Sequence, residues 1–169
     1  PKLLWLSRNK PYHFKQAKYI LFAKDFLRLK LSGTVATDVT DAAGSWLLDQ
    51  KKRNWDEDCV SICNADNLML PDIFESPDPC GIIKTEFSIR WKLPKGLVIS
   101  AGGGDVACGG IGIGAVNQKT GFISLGTSAQ VFLGSKKFEP SPKNLVHSFC
   151  HALPETWFDM AALLNGTSV

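Results

Sequence analysis

The residues best suited to chemistry lie between Gly96 and Ser135. Leu97-Val98-Ile99-Ser100 is an apolar, β-branched run long enough for a buried strand, and it leads into Ala101-Gly102-Gly103-Gly104-Asp105. A Gly- and Ala-rich segment follows from Val106 to Val116 and reads as a helix, its glycines at 109, 110, 112 and 114 allowing another backbone to come close. The unit is strand, tight turn, helix. A carboxylate held at such a turn, with glycines before it, is suited to receive a proton from a small polar substrate. That reading places Asp105 at the carboxyl end of a central strand, in a cleft near the junction of two subdomains. A plain N-cap role for Asp105 stands beside it.

A dinucleotide fingerprint also competes for this turn, because Gly102-x-Gly104-x-x-Ala107 fits its loose form. Asp105 would then face the pyrophosphate, and like charges at close range repel by several kcal/mol, on the order of Coulomb's law at intermediate dielectric. Gln118 to Leu133 also lacks the acidic residue that should follow a second strand.

Farther on, Gly121 to Leu125 and Ala129 to Gly134 read as two strands joined at Gly126-Thr127-Ser128. Three small residues at that bend expose backbone amides and two hydroxyls, the makings of an anion-binding nest, although the same triplet also makes ordinary hairpin turns. A base after one strand, followed by a phosphate-binding hairpin, is a more specific signal than either alone.

Several elements must position these residues. Pro1 to Leu6 begins an amphipathic helical pattern. Ala23 to Leu31 is a helix whose apolar residues Phe22, Phe26, Leu27, Leu29 and Leu31 pack on the core, and Ser32-Gly33 ends it. In Asp38-Val39-Thr40-Asp41-Ala42-Ala43-Gly44, Asp or Thr caps a short helix; Asp38 and Asp41 read as capping residues first and as cleft residues second. Trp55-Asp56-Glu57-Asp58 opens a helix through Cys63, with acids in its first turn where the helix dipole favours them. Cys80 to Lys84 reads as a strand and Thr85 to Leu93 as a helix. The abrupt starts and stops of pattern at both ends predict an internal fragment.

Composition bounds the partners. At 44% hydrophobic and 21% charged, the 169 residues can build one full core or parts of two. The net charge of +3 includes no basic block longer than Lys51-Lys52-Arg53, so no nucleic-acid partner is expected. No apolar run reaches the ~20 residues of a membrane span. Five scattered cysteines (Cys59, Cys63, Cys80, Cys108, Cys150) read as reduced, mostly buried thiols in a cytoplasmic protein. Neither Cys59 with Cys63 nor His147 with Cys150 and His151 has zinc-site spacing, and no metal ligand is assigned.

Six segments then carry a resemblance along nearly the whole chain: Pro1-Lys2-Leu3-Leu4-Trp5-Leu6, Lys24-Asp25-Phe26-Leu27-Arg28-Leu29, Asp38 to Gly44, Ala101-Gly102-Gly103-Gly104-Asp105, Ser124-Leu125-Gly126-Thr127-Ser128, and Val146-His147-Ser148-Phe149-Cys150-His151-Ala152-Leu153-Pro154. In type and order they resemble the xylulokinase-like members of the FGGY carbohydrate kinase family. The resemblance implies an α/β, actin-like and ribonuclease H-like ATPase fold, here parts of two subdomains: residues 1–116 from the sugar-binding domain and 117–169 from the start of the nucleotide-binding domain. It implies phosphorylation of a sugar, D-xylulose to D-xylulose 5-phosphate, with ATP and Mg2+ and with room for a homodimer. Asp105 is then the general base, Asp105 and Val106 face the sugar, and Gly126, Thr127, Ser128 and Gly166 face the ATP phosphates. The family's first phosphate loop and its adenosine-binding half lie outside these residues, so this piece alone is expected to be inactive.

One departure matters. Family members carry an amide, Asn or Gln, after the catalytic Asp, where this chain has Val106, which cannot hydrogen-bond a sugar hydroxyl. A kinase of another ketose or of glycerol, and a catalytically silent actin-like binding module, therefore stay open as alternatives.

Overall fold

A computed structural model of the chain describes residues 1–65 and 69–167. The first half is mixed. Helices α1 (Lys2–Asn9) and α2 (Pro11–Gln16) open the chain, and Leu3 and Leu4 pack against a buried cluster of Leu47, Val60, Cys63 and Ala65. Helix α3 (Ala23–Ser32) ends at Gly33, whose φ of +86° provides the left-handed C-cap expected from sequence. Strand β1 (Ala36–Asp38) runs directly into helix α4 (Val39–Gly44), and Asp38 caps that helix through the Thr40 amide. After the short hairpin β2 (Leu48–Asp49) and β3 (Asn54–Trp55), helix α5 (Glu57–Ile62) starts at the N-cap Asp56. Strand β4 (Asp72–Phe74) pairs in parallel with β1.

Strand β5 (Pro79–Ile82) and helix α6 (Thr85–Trp91) match the sequence reading within two residues. Strand β6 (Val98–Ser100) departs from it. It pairs antiparallel with β5 in a two-stranded sheet, and Val98 is 55% exposed. The apolar run does form a strand, but among the described residues it is neither central nor buried, because β5 is its sole neighbour. Helix α7 (Asp105–Gly112) follows.

The second half is a four-stranded antiparallel sheet of β7 (Gly121–Leu125), β8 (Ala129–Ser135), β9 (His147–Cys150) and β10 (Trp157–Leu163), in the order β7-β8-β10-β9. One face carries Phe122, Phe132, Phe149, Phe158 and Met160, with Phe132 stacked 4.8 Å from Phe122 and 4.3 Å from Phe158. Helix α7 lies on that face through Ala107, and Ala115 just beyond the helix joins the same core. A methyl group at Gly110 would sit 2.7 Å from the Phe132 ring, so this glycine admits an aromatic side chain rather than a second backbone. Residues on both sides of 116–117 thus share one core. The opposite face of the sheet exposes Ile123, Leu125, Val131, Leu133 and Leu163.

Helix α4 joins the halves. Val39, Ala42 and Ala43 pack with Leu48 and with Cys150 of β9, while the polar start of the helix turns toward the loop that carries Asp105. Arg53 adds a cross-brace: Nε and Nη2 each donate to the Glu75 carboxylate at 2.6 Å, and Nη1 donates to the Thr156 carbonyl at 2.9 Å. No helix among the described residues is long and apolar enough to cross a membrane.

Candidate active site

Asp105 is the first residue of α7, and Gly104 is the N-cap, so the capping role open to Asp105 from sequence falls to its neighbour. The Asp105 side chain is exposed and its Oδ1 accepts the Val106 amide at 2.8 Å. It opens into a pocket of about 180 Å³ lined by Thr40, Asp41, Gly44, Gly104, Asp105, Val106 and Ala107 on one side and by Phe149, Phe158 and Met160 of the sheet on the other. The volume is below the ~300 Å³ at the lower end of ligand pockets, so these walls hold a small molecule but cannot enclose a sugar together with a nucleotide. The expected cleft is present, between α4, α7 and the sheet, although the strand leading to it is not central.

The turn that presents Asp105 is tied to buried charge. The Gly104 amide donates to Thr40 Oγ1 at 2.7 Å, and the Thr40 hydroxyl donates to Asp38 Oδ2. Asp38 Oδ2 also accepts from the Thr40 amide at 2.8 Å and from Ser76 Oγ at 3.0 Å, and Oδ1 pairs with Lys24 Nζ at 2.7 Å. Lys24 reaches Asp25 at 2.6 Å and Asp41 at 3.3 Å as well. Arg28 completes the group: Nη2 pairs with Asp25 at 2.8 Å and donates to the Ala36 carbonyl, while Nη1 holds the Ala101 carbonyl. A Cβ on residue 104 would sit 3.1 Å from Asp41 Oδ1, so glycine lets the turn close onto this network.

Burial by itself would lower the pKa of Lys24, but Asp38 and Asp25 outweigh it and hold the ammonium above its ordinary value. For Asp41 burial is again the largest influence; it raises the carboxyl, and the pull of Lys24 only partly offsets it.

Sequence reasoning missed this network. It read α3 as packing its Phe and Leu residues inward, yet Phe26 and Leu27 are 54% and 58% exposed while Asp25 and Arg28 are buried. The apolar count along α3 hid the true inner face. The available signal was the i, i+3 spacing of Asp25 and Arg28, which puts opposite charges on one stripe with Ser32. Asp38 caps its helix as read. Asp41 does not cap: it stands in the first turn of α4, pairs with Lys24 and lines the pocket.

The second group assembles elsewhere. Gly126, Thr127 and Ser128 form the exposed turn between β7 and β8, and Gly166 comes back across it. The Gly126 amide donates to the Ser128 carbonyl at 2.9 Å, and the Gly166 amide donates to the Thr127 carbonyl at 2.8 Å. Both glycine amides are therefore engaged inside the turn. Gly166 serves close approach: a Cβ there would lie 2.5 Å from the Gly126 carbonyl oxygen. These four residues meet one another but lie outside the lining of the Asp105 pocket.

His147, Cys150 and His151 do not converge on a metal. His151 is buried, its Nε2–H donates to the Ala115 carbonyl at 3.1 Å, and Nδ1 accepts the Leu153 amide at 3.1 Å. Burial holds it below the usual histidine pKa, in keeping with that neutral tautomer. Cys150 is pushed up to about 11 by burial, an unreactive thiol. Among the described residues no three His, Cys, Asp or Glu side chains are grouped to hold an ion.

Known proteins resemble the chain along nearly its whole length. The chain is 39% identical over 168 residues to the xylulose kinase of Escherichia coli strain K12, a match that takes in 99% of this chain and 34% of that protein. Among solved structures it is similar to a xyloylose kinase from Brucella ovis (TM-score 0.94, 34% identity, 98% of this chain and 34% of that one). It is also similar to a ligand-bound xylulose kinase from Lactobacillus acidophilus (TM-score 0.89, 26% identity, again 98% and 34%). The chain thus spans about a third of the length of the relatives it matches. Its mixed α/β architecture is part of the actin-like fold of those sugar kinases. The family model for the N-terminal domain of the FGGY family of carbohydrate kinases matches residues 1–112, and the chain belongs to that family.

Proposed function

We propose that this chain is a segment of an ATP-dependent sugar kinase and that its pocket takes the acceptor sugar, D-xylulose first among candidates, with Asp105 as the base. The observation that carries the reading is an exposed carboxylate lining a small pocket, on a turn anchored to buried ion pairs. Asp105 takes the proton of the sugar's terminal hydroxyl as that oxygen attacks the γ-phosphorus of ATP. The new O–P bond forms while the bond from the γ-phosphorus to the bridging oxygen breaks, and ADP leaves with the electron pair. Phe149, Phe158 and Met160 form the apolar wall that excludes water from the acceptor.

Gly126, Thr127, Ser128 and Gly166 form the turn that faces the ATP phosphates. Mg2+, supplied with ATP, neutralises phosphate charge, and no residue of this chain is assigned to it. Residues 1–116 are the sugar side and 117–169 the beginning of the nucleotide side. The exposed apolar face of the β7–β10 sheet, wide for a free surface, supports a segment that works inside a larger body and is inactive alone.

The experiment is ADP production by the full-length enzyme with a panel of ketopentoses, ketohexoses and glycerol. Stimulation by D-xylulose above the rest is the expected result. Stimulation by none of them would leave the silent binding module, and a preference for another acceptor would tie Val106 to that substrate.

A further inference from the structure

The polar groups on the pocket wall are few. Thr40 spends its hydroxyl on Asp38 and on the Gly104 amide, and Asp105 has the proton to take. Asp41 is left. It is the third residue of α4, its side chain is 26% exposed, and it lines the pocket beside Gly104, Asp105 and Val106. Lys24 anchors Oδ2 at 3.3 Å, while Oδ1 lies toward the Gly104 turn.

The charge balance around it is uneven. Lys24 and Arg28 are two cations against the three carboxylates of Asp25, Asp38 and Asp41, and of the three only Asp41 has exposed surface. A carboxylate has about four acceptor positions, and a hydroxyl donating to one makes a short, strong hydrogen bond. Val106, whose side chain packs on the Phe132 and Phe158 cluster, offers the sugar no polar atom.

We propose that Asp41 is a sugar-binding residue, its carboxylate accepting a hydrogen bond from one hydroxyl of the acceptor in the Asp105 pocket. This rests on the reading of that pocket as the sugar site. Anchoring by Lys24 fixes where the acceptor atom stands, so Asp41 selects for a hydroxyl at one position along the sugar chain. The nucleotide has no part in this contact.

The test is steady-state kinetics of the full-length enzyme and its Asp41→Asn variant with D-xylulose and with deoxyxyluloses that each lack one hydroxyl. The expected result is a sugar KM raised about tenfold or more in the variant, with KM for ATP within about twofold. One deoxy sugar should be used equally poorly by both forms, because the contact is already missing. If Asp41→Asn fails to fold, Asp41→Ser, which keeps Lys24 paired with Asp25 and Asp38, takes its place in the same measurement. An unchanged sugar KM in an active enzyme overturns the proposal and leaves the kinase reading standing. So does an equal loss on xylulose and on every deoxy sugar, which would make Asp41 a structural support alone. No sugar-dependent turnover in the parent enzyme defeats both.

Discussion

Two glycine-bearing turns attract attention in this chain, and they are built in different ways. The turn at Gly102–Asp105 rests largely on side chains: besides the Gly102 amide donating to the Ser76 carbonyl, Thr40 holds the Gly104 amide and Arg28 the Ala101 carbonyl, and behind Thr40 stand Asp38 and Lys24. The turn at Gly126–Ser128 rests mainly on backbone, closed by its own hairpin bond and by the amides of Gly166 and Thr167, beyond the end of β10, with the Thr167 hydroxyl also donating to the Gly126 carbonyl at 2.9 Å. A group that must meet a reacting atom at a fixed distance needs the first kind of support.

The largest effect should come from removing the support of the first turn. Asp38→Ala leaves Lys24, Ser76 and Thr40 without their shared partner in a buried site, a loss of about 3–5 kcal/mol in stability for a broken buried ion pair. Thermal unfolding of the full-length enzyme should show it as a large drop in midpoint. A small drop would mean that the network is dispensable and that the two turns are alike after all.

Next comes the backbone-closed turn. Gly166→Ala brings a Cβ against the Gly126 carbonyl and should cost about 1–3 kcal/mol, as overpacking does, whereas at Gly126 the nearest atom to an added Cβ is 3.7 Å away and alanine should be nearly silent. Differential scanning of the two variants checks the contrast; equal effects would show that the turn is not held by this close approach.

The sequence made much of this legible. Asp38 before a helix, Gly33 after one, and the hairpin around Gly126-Thr127-Ser128 are local signals, set by capping and turn chemistry within a few residues, and all three appear in the fold. The inner face of α3 was not legible, because Arg28 is buried against the carbonyls of Ala36 and Ala101, which lie outside the helix, and holds Asp25 with it. The exposure of β6 was hidden for a related reason: an apolar run records how many neighbours a strand can have, not how many this chain provides. Asp41 could be read as a cap from its spacing, but its place on the pocket wall depends on how closely Gly104 approaches.

A smaller effect should sharpen the sugar side of the comparison. Val106→Asn adds a polar group to the pocket at some cost in packing against the Phe158 cluster, and should raise kcat/KM for D-xylulose by about 1 kcal/mol, roughly fivefold, with KM for ATP nearly unchanged. Equal or lower xylulose activity would assign the valine to a site shaped for another acceptor.

The central claim is that the carboxylate on the first turn does the chemistry. The direct measurement is single-turnover phosphoryl transfer by the full-length Asp105→Asn variant, alongside its ATP affinity. Asn keeps the shape of the side chain but cannot take a proton, so transfer should slow by about 10²-fold or more while ATP binds as before. Transfer at close to the parent rate would contradict the account and remove Asp105 from the reaction.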